Sequence, residues 1–397
     1  MKNLSACIII LLMPVLFLAV SCPGEGDIND NPETAAILVR DMRMGINIGN
    51  TLDAIGTFDW HAGENGWGNP SITRDLIKVY KNYGYTTIRL PVTWAEYIGP
   101  IPDYRIGECV FPDCFKCPDR MDRVEEVVNW ILDEGLYCIL NLHHDGGESD
   151  RSWILKAADD PDGVKTQFTA VWNQIARRFS GVSQGKLIFE AMNEVGFDKL
   201  WNQWGGNTNS KIEAYRILNM LNQTFVDTVR GTGAGNADRF LLVSGYWTDI
   251  DRTVDPLFAM PSDTQNDRLI LSVHYYTPAT FCIAERPDNS WGFKADWGNG
   301  AAADADYAEL NRQFEKLKIN FLDKGIPVIL GEYGVTDKET KAEDGRIRWL
   351  AAVTQICLDN GICPVLWDTG NDIKRQPPYQ MSNALTQAWA EIKTGKR

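Results

Sequence analysis

Two short apolar runs in this chain each lead into a glutamate. Residues 187–192 (Leu-Ile-Phe-Glu-Ala-Met) run into Asn193 and Glu194, and residues 327–330 (Pro-Val-Ile-Leu) run through Gly331 into Glu332. Apolar runs of this length, bounded by turn residues, read as strands buried on both faces. A carboxyl at the end of such a strand is partly desolvated and can still meet a ligand. Either glutamate alone would be an ordinary salt-bridged strand end. Two together can flank one electrophilic carbon, one kept protonated by burial beside aromatics and the other ionised beside a cation, for which Arg89 is placed. The rival chemistry is metal-assisted hydrolysis at His143, His144 and Asp145. Neighbouring histidines on a strand point to opposite sides and cannot easily share an ion, so the carboxylate pair is preferred. It calls for no metal and no organic cofactor.

The elements that must hold this pair are legible as an alternation. Strand-like runs fall at 44–48, 86–91, 137–142, 187–192, 240–243, 269–273, 327–330 and 363–367. Helical patterns fall at 71–83, 121–134, 167–179, 213–230, 306–324 and 346–360, and Gly84, Gly135, Gly181, Gly231, Gly325 and Gly361 stand where C-terminal glycines belong. Eight β-α units predict a single (β/α)8 TIM barrel, with its chemistry at the C-terminal strand ends. A doubly wound sheet would usually open with a phosphate loop, and residues 45–50 (Gly-Ile-Asn-Ile-Gly-Asn) lack that glycine order. The strand ends carry Asn50, Arg89, then Asn141, His143, His144 and Asp145, then Asn193 and Glu194, His274 and Tyr276, Glu332, and finally Trp367 and Asp368. Three of the chain's four histidines lie among them.

The N-terminus reads as an export signal. Lys2 is followed by an apolar stretch from Cys7 to Val20, too short to span a bilayer comfortably. Residues 1–22 are assigned as this signal, with Cys22 in a lipobox-like context as the lipidation site. The alternative is plain signal-peptidase cleavage near Ser21. Residues 23–34 form a polar tether, and 35–395 the catalytic domain. The expectation is an exported protein, lipid-anchored to a bacterial membrane or cell surface, or else secreted, and a monomer. A net charge of −14 argues against nucleic acid or an anionic membrane surface as partner and fits a neutral substrate. In an exported chain, Cys109, Cys114 and Cys117 read first as a disulfide-braced loop and second as an incomplete zinc knuckle. Cys138 and Cys357 lie in apolar segments and read as core thiols. Fourteen tryptophans supply either a large core or flat faces for sugar rings. Trp67 and Trp94 can be read either way. Trp60, Trp153, Trp201, Trp204, Trp247, Trp291 and Trp297 fall in expected loops.

Eight stretches, in order, carry a family resemblance: 45–53, 66–70, 88–94, 140–145, 188–194 (Ile-Phe-Glu-Ala-Met-Asn-Glu), 272–276 (Ser-Val-His-Tyr-Tyr), 328–334 (Val-Ile-Leu-Gly-Glu-Tyr-Gly) and 366–368 (Leu-Trp-Asp). The chain resembles glycoside hydrolase family 5, in particular its endo-β-1,4-glucanase (cellulase) branch of retaining barrel enzymes. The resemblance implies Glu194 as acid/base and Glu332 as nucleophile. It places Asn193 on the sugar 2-hydroxyl, Arg89 against Glu332, His143, His274 and Tyr276 in the catalytic centre, and Trp367 beneath the sugar in the −1 subsite. Asn50, His144, Trp67 and Trp94 are further substrate-binding candidates. The implied substrate is cellulose or a related β-glucan such as xyloglucan, lichenan or glucomannan. A mannanase or xylanase of the same family is the alternative, followed by a non-catalytic glycan-binding lipoprotein. Val195 departs from the proline that many relatives carry after the acid/base glutamate.

Overall fold

The computed structural model describes residues 32–56, 63–108, 119–147, 152–202, 207–336 and 340–393. Cys22, the tether before residue 32, the 109–117 cysteine cluster, Trp60 and Trp204 lie outside the described residues. Eight parallel strands close into a barrel in sequence order: β1 (Gly45–Asn47), β2 (Thr87–Leu90), β3 (Tyr137–Asn141), β4 (Leu187–Glu190), β5 (Leu241–Asp249), β6 (Leu269–Tyr275), β7 (Val328–Tyr333) and β8 (Cys363–Leu366). The last strand pairs with the first through Gly45 and Val365. All eight expected runs are strands, with ends that differ. β5 is longer than expected because it bends through Trp247 and Thr248, both at positive φ (55° and 49°), before rejoining β6 at Asp249.

The helices form the outer layer. Arg74–Asn82, Arg120–Asp133, Pro161–Arg178, Thr208–Gly231, Ala303–Asn320 and Glu343–Asp359 match the six helical patterns. Thr73 caps the first of these by accepting from the Leu76 N–H. Gly84, Gly135, Gly325 and Gly361 take the left-handed conformation expected of C-terminal glycines. Gly231 is instead the last residue of its helix, and the left-handed turn falls at Gly233. Ala35–Met42 and Asn383–Lys393, and the single turns Ile250–Thr253 and Ala279–Cys282, are helices outside the expected patterns.

Ala35–Met42 plugs the barrel floor. Leu38, Val39 and Met42 pack against the inward side chains Ile139, Ile188, Leu242, Ile270, Ile329 and Val365. Side chains on a strand alternate with a period of two, and two residues further along the same inward column turns polar on β3, β4, β5 and β6, at Asn141, Glu190, Ser244 and Ser272. Ile139 is followed by Asn141 and then His143; Ile270 is followed by Ser272 and then His274. The interior thus grades from apolar plug to polar mouth, and this gradient positions the site. Cys138, Cys282, Cys357 and Cys363 are buried free thiols.

Candidate active site

Glu194 and Glu332 meet at the C-terminal mouth. One oxygen from each carboxylate and a His274 ring nitrogen lie mutually within 4.8 Å. Beyond β4 the chain bends at Ala191 and again at Asn193 and Glu194, with the Asn193 N–H bonded to the Leu142 carbonyl, and this carries Glu194 up to the rim. Glu332 sits within β7 itself. Its Oε1 accepts from Arg89 Nη1 at 2.7 Å and its Oε2 from the Tyr276 hydroxyl at 2.9 Å. His274 Nδ1 lies 2.7 Å from Glu194 Oε1 and 3.6 Å from Glu332 Oε2. Arg89 Nη2 donates to Asn193 Oδ1 at 2.7 Å, which turns the Asn193 amide nitrogen away from Arg89.

The electrostatics depart from the simplest expectation. Arg89 does grip Glu332, yet burial pushes Glu332 above the usual carboxylate range, and the facing Glu194 charge adds to it against the pull of His274 and Arg89. Burial also works to raise Glu194. The hydrogen bond and charge of His274, with help from Arg89 and His144, outweigh it and hold Glu194 below its usual value. The reason is geometric. A charged His274 is closer to Glu194, and the Glu332 side chain is only 6% exposed while that of Glu194 is 36% exposed. Arg89 is permanently charged and pulls on both carboxylates. Burial opposes the Arg89 charge, but Glu190 and Glu332 outweigh burial and hold the guanidinium above its usual range.

His143 has a defined tautomer. Asn141 Oδ1 accepts the Val92 N–H, so the Asn141 amide nitrogen donates to His143 Nδ1 and the ring proton sits on Nε2. Burial and the neighbouring His144, Arg89 and His274 charges keep His143 neutral, far below its usual value. Burial lowers His144 to about 4. Trp367 stacks parallel to His143, with ring centroids 5.6 Å apart and planes within 4°. It lines the same hollow as Asn50, Tyr276 and both glutamates. Gly49 is required there, since a Cβ would lie 2.8 Å from the Trp367 ring.

Three expectations are corrected. Trp94 is fully buried and its Nε1 donates to the Asn141 carbonyl, so it is a core aromatic beneath the site and offers no face to a sugar. Trp153 and Trp297 are likewise buried. The adjacent histidines do not point apart. β3 ends at Asn141, and the turn that follows brings the His143 and His144 rings to 4.5 Å. Together with Asp53 they place three possible ligand atoms within 4.8 Å. Both Asp53 oxygens accept backbone N–H groups, from Asn50 and Thr51, and His143 Nδ1 is taken by Asn141. These hydrogen bonds to Asp53 and His143 brace the wall of the cleft. Trp67, half-buried, stands 5.3 Å from His144.

Two groups were not anticipated. Glu190, fully buried on β4, accepts from Arg89 Nε at 2.6 Å and from Ser272 Oγ at 2.7 Å. The signal was present, because an acid two residues after Ile188 shares its inward column. Trp247 was one loop tryptophan among seven. It lines both hollows on the far side of Glu194, and its indole lies on Gly196, where a Cβ would overlap Nε1 at 1.6 Å. Only the backbone strain at β5 marks it out, and such strain is not legible in sequence.

Residues 50–373 match the family described as cellulase (glycosyl hydrolase family 5). Endoglucanase A of Ruminococcus albus is 36% identical over 347 residues, covering 87% of this chain and 86% of that protein. A broad-specificity endoglucanase from Bacteroides salanitronis superposes with a TM-score of 0.78 at 34% identity, over 93% of this chain and 96% of its own. A family 5 xyloglucanase from Paenibacillus pabuli superposes with a TM-score of 0.77 at 32% identity, over 91% of this chain and 100% of its own.

Proposed function

The chain belongs to glycoside hydrolase family 5 as an endo-acting hydrolase of β-glucans, and from that premise we propose that Glu194 and Glu332 cleave internal β-1,4-glucosidic bonds by double displacement. The observation that carries this reading is the nearness of the carboxylates, one oxygen of each lying within 4.8 Å of the other. Retaining glycosidases hold their carboxyls about 5–5.5 Å apart, and inverting ones about 6.5–9.5 Å. Glu332 attacks the anomeric carbon, with Arg89 and Tyr276 orienting its two oxygens so that one lone pair faces the sugar. Glu194 protonates the departing oxygen and then takes a proton from the water that releases the glycosyl-enzyme.

Substrate binding shifts the proton of the coupled pair onto the acid. A sugar seated over the pair strips more water from the more exposed Glu194 than from Glu332. Loss of water disfavours the charged form, so binding raises Glu194 selectively and draws the proton to it. His143 Nε2–H and Asn193 present donors to the sugar, Trp367 its face, and Trp247 a second aromatic face on the leaving-group side. Hollows lie on the Trp367 side and on the Trp247 side of Glu194, which gives room for a polymer. Names among the relatives support the β-glucan class, xyloglucan included. Glu332→Gln should fold normally and lose roughly 10²–10⁴-fold or more in kcat on carboxymethyl-cellulose, xyloglucan, lichenan and glucomannan, read by reducing-sugar release. Near-normal rates would remove Glu332 from the nucleophile role.

The basic residue, apolar stretch and Cys22 of the N-terminus support export and a lipid tether. Cys22→Ser should then move the protein from the membrane fraction to the soluble fraction of the host. An unchanged distribution would discard the tether.

A further inference from the structure

The layer directly beneath the two glutamates is built from alternate strands: Arg89 on β2, Glu190 on β4 and Ser272 on β6, none of them exposed to solvent. Glu190 holds one edge of the Arg89 guanidinium, Nε at 2.6 Å, and is itself held by Ser272 Oγ at 2.7 Å. The other edge of the same guanidinium makes the bonds to Glu332 and Asn193, both at 2.7 Å, while Asn47 Oδ1 takes a further Nη1 proton at 3.0 Å. A guanidinium is a rigid planar fork, so anchoring Nε fixes where both terminal nitrogens point. One positive charge is also divided between two carboxylates in a dry interior, where charges are weakly screened.

We propose that Glu190 is a positioning residue for the nucleophile, which through Arg89 aims the Glu332 carboxylate and limits how much of the guanidinium charge Glu332 feels. The proposal rests on Glu332 being the nucleophile. Without the Glu190 charge, Arg89 would favour the ionised form of Glu332 more strongly. The carboxylate would become more acidic and correspondingly less nucleophilic. Without the anchor, the fork would be free to swing and both Glu332 and Asn193 would lose their aim.

The test compares wild type, Glu190→Gln and Glu190→Asp in the full-length protein. Folding is checked by circular dichroism, kcat/KM is followed against pH, and Glu332 labelling by an activated 2-deoxy-2-fluorocellobioside is read by mass spectrometry. Glu190→Gln keeps an acceptor for Arg89 but removes the charge. It should move the acidic limb of the profile down by about one pH unit and slow labelling of Glu332. Glu190→Asp keeps the charge but withdraws it by one methylene. It should leave the acidic limb in place and lower kcat by roughly tenfold or more, with KM little changed. A folded Glu190→Gln with a wild-type acidic limb overturns the proposal, even if that variant is less stable. Should Glu190→Gln fail to fold, Glu190→Asp decides, and a wild-type kcat there overturns it. A wild-type enzyme labelled at a residue other than Glu332 removes the nucleophile assignment, and the proposal falls with it.

Discussion

Asp145 lies under the cleft wall, fully buried, with its two oxygens accepting the Trp94 backbone N–H and the Trp153 Nε1–H. Burial pushes its carboxyl up to about 6, against those hydrogen bonds. A folded-state value above the unfolded one means stability that is fully present below about pH 3.8 and is lost as pH rises through about 6. Asp145→Asn removes that titration and leaves one of the two donors unpaired, at a cost of about 1–3 kcal/mol. The stability gap between wild type and this variant should widen by about 1 kcal/mol on going from roughly pH 7.5 to pH 5, measured by urea unfolding at each pH. A gap equal at both values would show that the buried carboxyl does not titrate there. Among single residues, the eight carried by resemblance stood out because they lie in or just beyond apolar runs, and the structure gathers them at one mouth of the barrel. The protonation order did not, because it depends on which of two carboxylates His274 happens to lie nearer.

At the level of elements, strands were easier to read than their ends. The run 327–330 reads as a strand that stops before its glutamate, whereas β7 runs on to Tyr333 and holds Glu332 inside the ladder. The run 187–192 reads the opposite way, since β4 stops at Glu190 and Glu194 stands on a bent segment beyond it. Hydrogen bonds to neighbouring strands decide these ends, and a single sequence does not display them. The kink in β5 shows the same limit. Trp247 and Thr248 take left-handed φ although neither is glycine, a strain of about 1–3 kcal/mol each that the surrounding barrel must hold. The kink lays the indole on Gly196, with its Nε1 buried and unpartnered among the described residues. Gly196→Ala should therefore displace Trp247 and lower kcat/KM on polymeric β-glucan by roughly tenfold or more, since a buried Cβ overlap cannot be relieved without moving the ring. Wild-type kinetics for that variant would mean Trp247 takes no part in holding the chain. Trp94 marks the converse error, because a tryptophan close to a strand end is equally consistent with core and cleft until burial is known.

At the scale of the whole molecule, the barrel turns a linear chain into a radial one. Arg89, Glu190, His274 and Glu332 are up to 243 positions apart in sequence and share one hydrogen-bonded cluster. The floor is sealed by Ala35–Met42 and the apolar inward columns, so that polar side chains are collected only at the open end. Three hollows converge there on Glu194. One is lined by Trp367 and Asn50, and two lie on either side of Trp247. The spacing of the two carboxylates makes a stereochemical statement about the product. The direct test is proton NMR of the first sugar released from a β-glucan oligosaccharide, recorded before mutarotation. The new reducing end should appear first as the β-anomer, with the α-anomer growing in later. An α-anomer appearing first would mean direct attack by water, and Glu332 would not be the nucleophile.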